Sequence, residues 1–293
     1  MNKFINIYIL SLLVNFNINC VISNKNFCQE DCIKNLHLSN IDNISNTKII
    51  TLRNDNLVNI RGPILDKSVD VFVNKLLKIV SDEIFIFINS PGGVVTEGLR
   101  FIQVMQSFEN TNKKVYCIVD KGASMAFVIF QHCQNRYIID GSILMQHQMS
   151  GGMSGPIENV RNRMKLFNNI YLKMNNYQSN RLKLTLNEFL EKVTSDWWLF
   201  DNEILKENAG DEKVKIICHP DLLKSKEIIE HGSLFGLIKF TFNRCPLIDT
   251  PSKIELKEFE SDTYRIVNDE KTLSIIKTDF LEFNKEKGYY NEI

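Results

Sequence analysis

The chain has 293 residues, 44% of them hydrophobic, enough to bury a sizeable core in one large domain or one domain with extensions, which excludes disorder throughout. Lys plus Arg and Asp plus Glu each number 35, so the net charge is zero. No field of one sign points to nucleic acid or to an anionic membrane surface, and no nucleic-acid partner is expected.

Met1, Asn2 and Lys3 make a short basic start before the apolar run Phe4 to Val14. Asn15, Asn17 and Asn19 stop that run short of a membrane span, so a secretory signal peptide is expected over residues 1–22. This favours the secretory pathway or a signal-dependent, plastid-like organelle over the cytoplasm. Seven cysteines fit an oxidising compartment, and loss of Cys20 with the signal leaves an even six. Cys117 falls in a presumed core strand and Cys133 at the end of a presumed core helix, where both are expected to act as free, small apolar residues. Cys28 and Cys32 have a pair spacing, but no second pair with zinc-ligand spacing accompanies them, so no metal is expected. Asn43-Ile44-Ser45 is a glycosylation sequon that matters only in the secretory pathway.

Residues 23–47 are polar and aperiodic, as a leader or linker would be, and the folded domain is expected over 48–218. Short strands at 48–52 and 57–61 lead through Gly62-Pro63 into a helix over 67–80, where Val69, Phe72, Val73, Leu76 and Leu77 recur at helical spacing. Glu83 to Asn89 reads as a strand apolar on both faces, followed by the turn Ser90-Pro91-Gly92-Gly93 and a helix from Val94 to Phe108. Val115 to Val119 is a further strand, and Phe127 to Phe130 opens a buried helix. Strands at 136–140 and 142–148 join at Gly141, a flexible loop spans 149–156, and a long amphipathic helix runs from Ile157 through Met174. Thr185 and Glu188 form a capping box, and Asp201 to Asn208 reads as a short helix. The alternation of strand and helix is that of an α/β fold. Residues 219–293 form an extension with apolar patches at 234–242 and 272–283 but no readable motif.

Ser124 lies between the Val115 to Val119 strand and the helix that opens at Phe127. There a hydroxyl sits near the unpaired N–H groups and positive end of the helix, which suits a nucleophile and equally suits a plain helix cap. Serine needs a base to take its proton, the base needs an orienting carboxylate, and the tetrahedral oxyanion needs N–H donors. Candidates for each role are present.

Asn89-Ser90-Pro91-Gly92-Gly93, Gly122-Ala123-Ser124-Met125 and Met145-Gln146-His147-Gln148 with Gly151-Gly152 resemble the three signature blocks of the Clp protease proteolytic-subunit family, over about Lys48 to Val214. The resemblance implies an α/β fold of the ClpP/crotonase type, a spiral of repeated ββα units with a long handle helix beginning at Ile157. It implies a serine endopeptidase working through an acyl-enzyme, with no metal or organic cofactor. Ser124 would be the nucleophile, His147 the general base and Asp196 the orienting acid, with the Gly93 and Met125 N–H groups as oxyanion hole. The implied partners are a peptide or unfolded-protein substrate, further copies or paralogues in a homo- or hetero-oligomeric ring, and an AAA+ ATPase unfoldase.

Several positions depart from the family pattern. Ala126 stands where glycine usually follows the methionine, Thr194-Ser195 replace an acid-Arg pair that helps to join rings, and Asn208 replaces a glycine before Asp211. The N-terminal segment does not resemble the family's axial loops, and the C-terminal extension is long, which weighs against coupling to an ATPase. Three rival readings use the same features. An α/β-hydrolase elbow at Ser124 would need Asp196, Asp201 or Asp211 followed by His219 or His231. A crotonase-type acyl enzyme shares the fold and its oxyanion hole, and a catalytically silent subunit could serve in a mixed ring.

Overall fold

A computed structural model describes residues 47–272, apart from 109, 110, 112, 234, 235, 260, 262 and 269–271. All of these belong to one compact unit that begins at Thr47. The expected signal peptide, the polar leader to Asn46, the Cys28/Cys32 pair, the sequon and most of the 272–283 patch lie outside the described residues.

In chain order the elements are β1 Ile49–Leu52, β2 Leu57–Arg61, α1 Asp66–Leu77, β3 Glu83–Ser90, α2 Val95–Ser107, β4 Lys114–Ala123, α3 Met125–Gln131 and β5 Asn135–Gln146. They continue with α4 Ile157–Arg181, α5 Leu186–Lys192, β6 Trp197–Phe200, α6 Asn202–Lys206, β7 Glu212–Lys213, β8 Lys215–Cys218 and α7 Pro220–Lys224. A final group comprises β9 Lys226–Ser233, β10 Gly236–Asn243, β11 Lys253–Lys257 and β12 Arg265–Ile266. The main sheet has the order β2-β3-β4-β5-β6, parallel from β2 to β5, with β6 antiparallel on its edge and β7 pairing β5.

Period-two alternation sends the side chains of each strand to two different cores. Ile84, Ile86 and Ile88 of β3 join Val115, Cys117 and Val119 of β4 in the core beneath α1, α2 and α3. Phe85, Phe87 and Ile118 point the other way, into a second cluster with Ile50, Leu52, Val214, Leu222 and Cys245. A parallel sheet needs cover on both faces. Here the second cover comes from the β1–β8 ribbon, α7 and the Cys245 turn.

The region after residue 219, which carries no motif, folds as a four-stranded antiparallel sheet in the order β12-β11-β10-β9 around Ile238, Phe240, Ile254 and Leu256. It is tied to β2 by Arg61 to Asp249 at 3.3 Å and by Asn59 Nδ2 donating to Arg244 O at 2.9 Å, and to β8 by the Cys218–Cys245 disulfide.

Two expectations are corrected. Cys117 and Cys133 are not free apolar residues but a disulfide, because α3 folds back along β4 and brings their Cα atoms to 5.8 Å. The strands expected at 136–140 and 142–148 are one strand, β5. Gly141 takes φ +77° inside it while Ser142 Oγ donates to Val119 O at 2.7 Å, so the break becomes a bulge against β4.

The carboxy-terminal end of α4 is anchored beside α3. Arg181 donates to the carbonyls of Cys133 and Gln134 at 2.8 and 2.9 Å, and Tyr177 stacks on His132 with ring centroids 3.7 Å apart. Arg136, buried, binds Asp211 through its guanidinium and its backbone N–H and also reaches Gln131 at the end of α3. Burial pushes the Asp211 carboxyl up, but the hydrogen bonds and charge of Arg136, with Arg181 at 3.6 Å, outweigh it and hold the group below the usual carboxylate range. The unfolded carboxyl titrates near 4, so this stabilisation is complete above about pH 4 and is lost as pH falls through the lower folded value. Asp211→Asn is expected to lower stability by about 2–3 kcal/mol at neutral pH and to flatten the acid limb of the stability profile, as read by denaturant unfolding. With 32% of the Asp211 side chain exposed, solvent screening keeps the loss below that of a fully buried pair.

Candidate active site

β4 extends to Ala123, so Ser124 is the single residue between strand and helix. Its backbone takes φ 54° and ψ −119°, a left-handed conformation that costs a residue with a Cβ. The surroundings enforce it. Ser124 N–H donates to Met145 O at 2.9 Å, and Ser124 O accepts from Val128 N–H at 3.2 Å. The side chain consequently stands off the turn rather than capping α3, and it makes no cap hydrogen bond.

β5 lies beside β4 and carries His147 one residue beyond its end. His147 Nε2 is 2.8 Å from Ser124 Oγ, with both residues half-buried. With the proton on Nδ1, Nε2 accepts from the serine hydroxyl, which is the arrangement for drawing off its proton. The His147 backbone is fixed by its neighbour: Gln146 Oε1 accepts the His147 N–H at 3.1 Å, while the buried Gln146 amide donates to Gln178 on α4. Sequence reasoning missed this pair, whose only signal is a glutamine on the inward face of a strand.

Asp196 immediately precedes β6, whose antiparallel register against β5 runs from Ile143↔Phe200 to Gln146↔Trp197. Continued by one position, that ladder sets Asp196 across from His147. Asp196 is exposed and makes no hydrogen bond or ion pair to His147 among the described residues. The structure thus brings serine and histidine together and leaves the acid adjacent to them.

The glycine turn packs directly against the serine turn. A Cβ on Gly92 would lie 2.5 Å from Ala123 O and 2.8 Å from Met125 N, and Gly92 has φ +94°, so only glycine fits. Gly93 at φ +150° pairs with Ile64: Ile64 N–H donates to Gly92 O at 2.7 Å and Val94 N–H to Ile64 O at 2.8 Å. Among the described residues neither the Gly93 nor the Met125 N–H has a backbone acceptor. The latter is the first residue of α3, where no intrahelical partner exists. On α2, Gly98 presents its bare Cα to the Met125 side chain, another close approach that its helical position concealed.

Of the acids and bases of the elbow alternative, Asp201, Asp211 and His219 have partners elsewhere. Asp201 pairs with Lys213 and Asp211 with Arg136, while His219 accepts the Asp221 N–H at the start of α7 and His231 lies in β9. Among the described residues no group of three or more His, Cys, Asp or Glu could hold a metal ion.

The sequence profile named Clp protease matches residues 42–207, more than half of the chain. The chain belongs to the Clp protease family. It is also similar to the ATP-dependent Clp protease proteolytic subunit 2 of Tropheryma whipplei (strain Twist), with 28% identity over 147 residues that cover 48% of this chain and 81% of that one. The mixed α/β architecture is consistent with the Clp protease fold, and membership implies a peptidase. Gly92→Ala is expected to displace the Ser124–Met125 turn and to lower stability by about 1–3 kcal/mol in denaturant unfolding while leaving the circular dichroism of the native chain intact.

Proposed function

We propose that this Clp protease family member is a serine endopeptidase that cleaves peptides through an acyl-enzyme. The observation that carries this reading is the 2.8 Å approach of His147 Nε2 to Ser124 Oγ, at a serine held in a left-handed turn. As the substrate carbonyl approaches, His147 takes the Ser124 proton and Oγ bonds to the carbonyl carbon. The oxyanion then accepts from the Gly93 and Met125 N–H groups. His147 returns the proton to the leaving amine, and water repeats the sequence to release the acyl group. Asp196, one ladder step across from His147, orients the ring through Nδ1–H. That contact tightens when substrate or a neighbouring subunit orders the strand end, since catalytic hydrogen bonds are often open in the free enzyme.

Labelling of the full chain with a fluorophosphonate is expected to vanish in Ser124→Ala and to fall by about 10³-fold or more in His147→Ala and Asp196→Asn. A folded wild-type chain that does not label would instead indicate the silent subunit, and labelling that survives His147→Ala would restore a later histidine as base.

Clp proteases act on unfolded protein inside rings, and α4 supports a similar assembly here. Of its 25 residues only Asn175, Gln178 and Ser179 are buried, while Ile157, Met164, Leu166 and Leu172 are exposed on the part that projects from the anchored end. Such apolar exposure on a long helix marks a contact surface. Leu166→Asp with Met164→Asp is expected to shift the oligomer toward smaller species in sedimentation velocity without changing the secondary structure.

A further inference from the structure

We propose that Cys117 and Cys133 are a positioning pair for Ser124, their disulfide setting the angle between β4 and α3 on which the serine turn depends. This rests on the reading of Ser124 as the nucleophile. β4 and α3 form a hairpin of strand and helix with Ser124 at its closed end. Cys117 stands on β4, Cys133 two residues past α3, and their disulfide closes the open end. The loop so closed spans a sequence separation of 16 and holds the serine near its middle.

A second element touches both ends of the hairpin. On α2, Gly98 lies against Met125 at the closed end, and Met105 Sδ lies 3.8 Å from Cys133 Sγ at the open end. A rotation of α3 about its closed end would therefore move the Met125 N–H and the Ser124 Oγ together, and the disulfide opposes that rotation at its point of greatest leverage. The other disulfide, Cys218–Cys245, lies on the far side of the sheet and encloses no part of the serine turn.

Cys117 is fully buried and Cys133 is 2% exposed, so the bond forms before the core closes and is then shielded from thiols. Its formation is an exchange: two cysteine thiols and one small-molecule disulfide, such as oxidised glutathione, give the protein disulfide and two small-molecule thiols. The chain thus acquires full reactivity only when it folds where such a disulfide is available.

The test compares fluorophosphonate inactivation of four full-length chains at a temperature well below the lowest unfolding midpoint. They are the wild type, Cys117→Ala/Cys133→Ala, Cys117→Val/Cys133→Ala, which refills part of the lost volume, and Cys218→Ala/Cys245→Ala. The first two variants are expected to lose about tenfold or more in the limiting inactivation rate with the half-saturating probe concentration unchanged, as misplacement of a reacting group predicts. The Cys218/Cys245 variant should react within about twofold of wild type although it too has lost a disulfide. Equal losses in all variants, or a wild-type rate in the Cys117/Cys133 variants, would overturn the proposal, as would peptide mapping that finds Cys117 and Cys133 reduced in fully reactive protein. A folded wild type that does not react at all would remove the nucleophile assignment and this inference with it.

Discussion

The backbone of Ser124 is the constraint on which the site depends. A φ of 54° costs a serine about 1–3 kcal/mol and persists only where the surroundings over-determine it. Here β4 enters the turn pinned between β3 and β5, α3 leaves it with all seven residues buried, and Gly92 fills a space beside it where no side chain fits. The strain is offset by the core, and its return is a hydroxyl held away from the helix it precedes and 2.8 Å from a histidine. A relaxed serine would have used the same hydroxyl to cap α3.

That hold extends well beyond the turn. Gln178 of α4 grips Gln146, whose side chain in turn grips the backbone of His147, so the orientation of the histidine is linked to α4. The same end of α4 is tied through Arg181 to the carbonyls that follow α3, and Arg136 joins the end of α3 to Asp211. Movements of α4 and the geometry of serine and histidine therefore share one set of hydrogen bonds. The extension after residue 219 contributes from the opposite face, where Leu222 and Cys245 help to cover Phe85, Phe87 and Ile118 and so keep the central strands dry on both sides.

Much of this was legible residue by residue. The both-face apolar runs of β3 and β4, the helical spacing of α1 and α2, the capping box of Thr185 and Glu188, and the glycines and serine at strand ends are local patterns that declare themselves within a few positions. The strands after α7 were not, because no turn or capping motif marks their bounds and their pairing as β12-β11-β10-β9 is fixed by their partners. β5 was read as two strands because a glycine inside a strand looks like a break, and only the Ser142 hydrogen bond to β4 makes it a bulge.

The sequence by itself determined the alternation of strands and helices from β1 to α4 and the residue types that could carry acyl-transfer chemistry, since both follow from short-range spacing and from the chemistry of single side chains. Only the tertiary structure decided which of them meet. Cys117 finds Cys133 rather than standing free, Gln146 finds Gln178, and His147, 23 positions from Ser124, comes within hydrogen-bond reach while Asp196 stops beside it. Such pairings are set by how β4, α3, β5 and β6 pack around a shared core, and a linear pattern holds no measure of distance between residues that the packing alone brings together.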